Sequence, residues 1–216
     1  MRTDEQIRDD IIEEIKWEPQ IESTEIGVTV KDGAVSLLGT VGSYAEKLAA
    51  ERAARRVKGV LAIAEEILVK YPREKSVKDE DIAERIAHVL EWNISLDRQD
   101  IQARVRNGFV TLTGVVDWHY QRENARRHVA RVRGVAGVSN MITLKTRVAK
   151  ADLKKDILQA LHRYADLEMS HIDLGISGGR VTISGDVHAW SERKLIEDAV
   201  WSSPGVTEVI DNLRVT

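Results

Sequence analysis

Residues 30–41 read Val30-Lys31-Asp32-Gly33-Ala34-Val35-Ser36-Leu37-Leu38-Gly39-Thr40-Val41, and this stretch decides the fold. Upstream of it Ile26, Val28 and Val30 alternate with polar or small residues, the period of a strand with one buried face. Asp32-Gly33 then interrupts the alternation. That dipeptide tolerates the positive φ demanded by a two-residue hairpin turn. Alternation resumes with Val35 and Leu37, so the stretch predicts two antiparallel strands closed by a tight turn.

The same sentence is written twice more. "VRNGFVTLTGVV" occupies 105–116 and "ISGGRVTISGDV" occupies 176–187. Shifting the chain by 75 residues lays its first third on its second, and a further 71 lays the second on the third, with no gap across Ile7–Val69, Ile82–Leu144 and Leu153–Val215. Gly33, Gly39 and Gly59 fall on Gly108, Gly114 and Gly134, then on Gly179, Gly185 and Gly205. A fixed period of this size is the mark of a structural repeat.

Working outward, each unit opens on apolar residues four apart: Ile7, Ile11, Ile15; Ile82, Ile86, Leu90; Leu153, Ile157, Leu161. That spacing predicts a helix with one buried stripe. In the first copy Thr3 and Gln6 form a predicted capping box. After the hairpin a second helix is expected, with Ala50, Ala54 and Val57 inward in the first copy and Ala125, Val129 and Val132 in the second. The third glycine ends it. A last strand closes the unit through Val60, Ile63, Ile67 and Val69. The expected class is α+β: three tandem α-β-β-α-β modules, each with two helices on one face of a three-stranded sheet, at 1–72, 77–147 and 148–216. The linkers Lys70–Asp81, with Pro72, and Lys145–Asp152 are short and not Gly/Ser-rich, so partly packed modules are expected.

The ordered series of helix, Gly-containing hairpin, Gly-x-Val step, helix, and the "KGV", "RGV" and "PGV" that precede the last strands resembles the BON family, the bacterial osmotic-shock and nodulation domain. The resemblance covers nearly the whole chain in three copies. It implies a role in osmotic or envelope stress, binding to phospholipid surfaces or to other proteins, and no set of enzymatic residues. Many relatives are exported. The first ten residues, MRTDEQIRDD, carry no apolar stretch, so a cytoplasmic multi-BON protein is the expectation.

Composition narrows the chemistry. The 216 residues include no cysteine, which excludes disulfides, thiolate metal sites and cysteine nucleophiles. The six histidines, His88, His119, His128, His162, His171 and His188, include no pair at helical metal-ligand spacing. His128 aligns with Ala53 and Ala199, where a half-buried, packed or hydrogen-bonded ring is expected. "GISGGRVTISG" is glycine-rich but is a hairpin, whereas phosphate loops run from a strand into a helix. No carboxylate pair or Ser-His arrangement recurs. The reading is of a protein that is not an enzyme, with no cofactor, no metal and no evident small-molecule substrate.

Charge and aromatics supply the site candidates. The formal charge is −3 overall, but residues 1–76 carry −3, residues 77–147 carry +3 and residues 148–216 carry −3. The middle copy's second helix holds Arg122, Arg126, Arg127 and Arg131, with Arg133 just beyond. Arg122 and Arg126 are expected on one flank of its core stripe, Arg127 and Arg131 on the other. Rings gather where that helix starts: Tyr44 in the first copy, Trp118, His119 and Tyr120 in the second, Trp190 in the third. One ring suffices to staple a helix start to the sheet, and three exceed that need. Trp118, Tyr120, Arg122 and Arg126 are therefore the candidate lipid or anion site, because Trp and Tyr favour the membrane interface. Trp17 and Trp92, about 120° from the inward stripe, are expected half-buried, packing on a neighbouring module or a partner. With Tyr44 and Trp190 they form a candidate interaction surface.

The resulting expectation is a binding protein engaging an anionic membrane surface or protein partners. The other reading is an interaction scaffold, or a sensor for a small ligand or ion, formed by packed modules. Overall acidity and the lack of a basic stripe through all copies disfavour nucleic acid. Oligomeric state is not encoded in any motif of the chain.

Overall fold

The computed structural model describes residues 2–22, 25–70, 77–92, 101–145, 153–161 and 172–216. The chain separates into two compact units, Met1–Thr143 and Leu144–Thr216, the first holding two modules and the second one. Module 1 runs α1 (Asp4–Trp17), β1 (Ile26–Lys31), β2 (Ala34–Val41), α2 (Tyr44–Arg56) and β3 (Ala62–Val69). Module 2 runs α3 (Asp79–Glu91), β4 (Ile101–Arg106), β5 (Phe109–Val116), α4 (His119–Val129) and β6 (Gly137–Leu144). Module 3 runs α5 (Leu153–Leu161), β7 (Ile172–Ser177), β8 (Arg180–Val187), α6 (Trp190–Trp201) and β9 (Glu208–Val215). The expected α-β-β-α-β order is present three times. Both inter-module linkers fall largely outside the described residues, as do His162 and His171.

In each sheet the second strand is central. It pairs antiparallel with the first (Val30 opposite Val35, Val28 opposite Leu37) and parallel with the third (Val35 opposite Ile63, Gly39 opposite Ile67). Its alternate residues Val35, Leu37 and Val41 are buried beneath Ile7, Ile11 and Ile15 of α1 and Ala49, Ala50, Ala53 and Ala54 of α2. Four alanines on one helix face let α2 lie close to the sheet, and in doing so bury two positions, Ala49 and Ala53, that the inward pattern did not include. In module 3 the equivalent work is done by Leu153, Ile157, Leu161, Val181, Ile183, Ile196, Ala199 and Val200.

Two backbone features are repeated. Gly39, Gly114 and Gly185 adopt φ of 132°, 140° and 136°, a region side chains rarely enter. At Gly39 a Cβ would stand 1.9 Å from the Glu25 carbonyl oxygen, so any side chain there would drive the first strand off the second. The hairpin turns place Asp32 and Asn107 at φ of 50° and 52° ahead of Gly33 and Gly108.

A contact absent from the sequence reading ties helix to turn. Asp4, at the start of α1, accepts the Asp32 N–H at Oδ2 (2.8 Å) and the Gly33 N–H at Oδ1 (3.1 Å). Asp79 repeats this on Asn107 (2.7 Å) and Gly108 (2.9 Å). The carboxylate also sits at a helix N-terminus, where the macrodipole favours it. The capping box of Thr3 and Gln6 forms as expected.

Three expectations are corrected. Trp17 and Trp92 are 79% and 80% exposed, not half-buried, because they follow the last inward residue at the C-terminal end of their helices and overhang the seam. His128 is exposed although Ala53 and Ala199 are buried. Its ring reaches past the place where a methyl group ends.

Asp79→Ala should remove two charge-assisted bonds to the module 2 turn and lower local stability by about 1.5–3 kcal/mol. The Asn107 and Gly108 amides should lose protection in native-state hydrogen exchange while those of module 1 stay unchanged.

Candidate anion-binding face of the middle module

The second helix starts differently in the three modules, and the register shows how. At the cap, Ser43 Oγ accepts the Glu46 N–H (3.2 Å), and Glu46 reaches back to the Gly42 N–H (3.4 Å). In module 3 Glu192 accepts the His188 N–H (2.8 Å). In module 2 the cap is Trp118, and Gln121 takes the part of the glutamate: its Oε1 accepts the N–H groups of Asp117 (3.0 Å) and Trp118 (2.9 Å). The hydrogen bond survives and the charge does not. The first turn of α4 contains no acidic residue.

One turn on, the second helices of modules 1 and 3 direct a cation at the last strand. Lys47 pairs with Glu65 (2.9 Å) and also donates to the Ile67 carbonyl (2.8 Å). Arg193 pairs with Asp211 (2.7 Å) while its guanidinium lies 5.0 Å from the centre of the Trp190 ring. In module 2 the strand residue is Asn140. Its Nδ2 donates to the Arg122 carbonyl (2.9 Å), and its Oδ1 accepts the Ile142 N–H (3.3 Å). Glu65 and Asp211 accept the matching strand N–H of Ile67 (2.7 Å) and Leu213 (2.9 Å). Again an amide keeps the backbone contact of a carboxylate. Arg122 donates instead to Nδ1 of His119 (2.9 Å), which must then carry its proton on Nε2.

The third substitution is a reversal. Glu51, which pairs with Arg55 (2.6 Å), and Glu197, which faces Lys194 (3.6 Å), align with Arg126. Arg126 bonds Glu123 (3.0 Å) with both side chains partly exposed. An ion pair of that kind contributes little. At three positions where both outer modules carry carboxylates, module 2 therefore carries Gln121, Arg126 and Asn140.

The rings separate into two sets. Tyr44, His119 and Trp190 share the first helical position and are half-buried. Trp118 and Tyr120 flank it in module 2 alone and are 37% and 54% exposed. The four expected site residues do not form one patch. Trp118, Arg122 and Arg126 follow one row at four-residue intervals. Tyr120 lies instead on the solvent row of Arg127 and Arg131, about 20° from Arg127 at roughly 100° per residue. Both of those arginines are exposed. Glu51 and Glu197 opposite Arg126 are visible in the registered sequences, whereas the neutral Gln121 and Asn140 escaped the sequence reading. Among the described residues there is no group of three acidic or histidine side chains able to hold a metal, and no helix long and apolar enough to cross a membrane.

Fold and charge pattern together define a repeat of small α+β modules in which one copy is specialised at its surface. The BON domain family model matches the chain at residues 3–71, 78–146 and 149–216, and the chain belongs to that family. Over 131 residues it is 30% identical to osmotically-inducible protein Y of Escherichia coli (strain K12), a match that takes in 59% of this chain and 64% of that protein. The chain thus spans just under two thirds of that relative. Among solved structures it is similar to CdsD, a structural protein of the type III secretion system of Chlamydia trachomatis, with 13% identity over 98% of this chain and 92% of that one at a TM-score of 0.26. The C-terminal domain of CdsD is similar at 13% identity and a TM-score of 0.27 over the whole of both chains. Scores this low carry no inference.

Gln121→Glu restores an acid to the first turn of α4 and keeps its hydrogen bonds. It should stabilise module 2 by about 0.3–1 kcal/mol, read as slower amide exchange in α4. A protein optimised for stability alone would already carry it.

Proposed function

We infer that this BON protein is a non-enzymatic binding protein of osmotic or envelope stress adaptation, and that its middle module engages an anionic phospholipid surface. The observation that carries the reading is the exchange of three carboxylates for Gln121, Arg126 and Asn140, with the fold-supporting hydrogen bonds retained at Gln121 and Asn140. Charge has been removed where structure did not require it. The name of the osmotically inducible relative supports the physiological setting. Exposed Trp118 supplies apolar area on the row of Arg122 and Arg126, and exposed Tyr120 on that of Arg127 and Arg131; each basic residue near an anionic surface contributes about 1 kcal/mol. Two arginines alone would bind weakly, so the rings must insert.

Flotation with vesicles of graded anionic lipid content tests this. Binding should fall steeply with salt, because the Debye length is about 8 Å at physiological ionic strength. Arg122→Glu with Arg126→Glu should abolish it at physiological salt, and Trp118→Ala with Tyr120→Ala should remove what persists at high salt. The most discriminating variant is Gln121→Glu with Asn140→Glu, which restores two of the three carboxylates of the outer modules and keeps their backbone hydrogen bonds. It should weaken vesicle binding about fivefold per restored charge. Unaltered binding in that variant would sink the electrostatic reading and leave a protein-interaction scaffold in its place.

A further inference from the structure

The seam between the two helices of a module carries opposite chemistry in modules 1 and 2. In module 1 it forms a concavity lined by Arg2, Asp10, Glu13, Glu14, Trp17 and Arg56, with Lys58 at its rim. Its cations are neutralised in place. Arg56 donates from Nε to Glu14 (2.8 Å) and from Nη2 to Glu18 (3.3 Å), and Arg2 pairs with Asp10. The hydrogen bond to Glu14 is the main cause that raises the Arg56 pKa above its usual value.

At the same positions module 2 has Val77, Arg85, His88, Val89, Trp92 and Arg131, with Arg133 in place of Lys58. Asp10, Glu13 and Glu14 have become Arg85, His88 and Val89, so the three carboxylates that lined the seam are gone. Arg85, His88 and Trp92 recur at i, i+3 and i+7 and so follow one row of α3. Across the seam, Arg85 Nη1 donates to the Arg133 carbonyl (3.3 Å), which brings two cationic residues together. Arg85, His88, Arg131 and Arg133 are all exposed. Asp81, the carboxylate on the same row, stands a turn nearer the helix N-terminus and makes no ion pair with Arg85 among the described residues. Module 3 places Asp156, Gln159, Ser202 and Pro204 in place of Arg85, His88, Arg131 and Arg133.

Among the described residues no carboxylate pairs with Arg85, Arg131 or Arg133, and planar guanidinium forks suit phosphate oxygens. Beside them is an indole 80% exposed. An exposed indole offers a stacking face to an aromatic base. The equivalent seam of module 1 is concave, a shape that admits a small ligand. We propose that the α3–α4 seam of the middle module binds a nucleoside di- or triphosphate, with the phosphates on Arg85, Arg131 and Arg133 and the base on Trp92. This site is separate from the membrane-facing residues at the start of α4, and its test is independent of theirs.

Isothermal titration of the full chain with ATP, inorganic tripolyphosphate and adenosine reads it. ATP should bind once per chain and weaken with salt. Tripolyphosphate should bind about tenfold more weakly, since base stacking supplies about that factor or more, and adenosine should give no saturable heat at the same concentrations. Trp92→Ala should bring ATP down to the tripolyphosphate affinity and leave tripolyphosphate unchanged. Arg85→Glu with Arg131→Glu should abolish both, with the far-UV circular dichroism retained. Should that double variant unfold, Arg131→Ser, the residue of module 3, must by itself weaken ATP several-fold. Trp118→Ala should have no effect. Absence of ATP binding overturns the proposal. So does ATP binding that ignores Trp92 and Arg131, or loss of vesicle binding in the Arg85 and Arg131 variant with no ATP binding in the parent chain, which would make the seam a membrane contact.

Discussion

Each module is built around a central strand that must pair on both edges while two helices press on one of its faces. Val35, Leu37 and Val41 have no freedom in this arrangement: their side chains are buried and both neighbours are held in register. The first strand comes so close at Gly39 that no side chain fits, and the same φ recurs at Gly114 and Gly185. The inward helix faces must then be small or branched, as the alanines of α2 and the isoleucines of α1 are. A module of about 70 residues buries only about 60% of its unfolded surface, so little of this core is dispensable.

What remains free is the outer charge pattern, and the middle module differs from its neighbours there. A side-chain amide is nearly isosteric with a carboxylate and accepts the same backbone hydrogen bond. Gln121 and Asn140 exploit this: the helix start and the last strand are held as in the outer modules, while a negative charge is lost at each position. The cost is small because surface ion pairs are worth little to stability.

The helix seams follow the same logic. In module 1 Glu14 and Glu18 close around Arg56, so the concavity is internally balanced. In module 2 Arg131 occupies that place against Val89, and no neighbouring change within the described residues compensates. The same element order thus carries balanced charge at the seam in one copy and cationic side chains in the next. A repeat protein acquires a specialised surface in this way without redesigning its core.

The sequence by itself determined the repeat, the element order and nearly all of the core, because apolar periodicity and positive-φ glycines are local signals that survive without knowledge of the partner strand. It also located the basic module and the extra rings. Tertiary structure decided the rest. The Asp4 and Asp79 clamps join residues 28 and 29 positions apart, a separation no periodicity reports. Trp17 and Trp92 lie 120° from the core stripe, an angle that permits either burial or exposure, and only the end of the helix seam settled which. Likewise Arg122 and Asn140 become partners only when β6 is laid beside α4. Sequence signals report how a segment faces its core; the charges a surface presents depend on what other segments bring beside it.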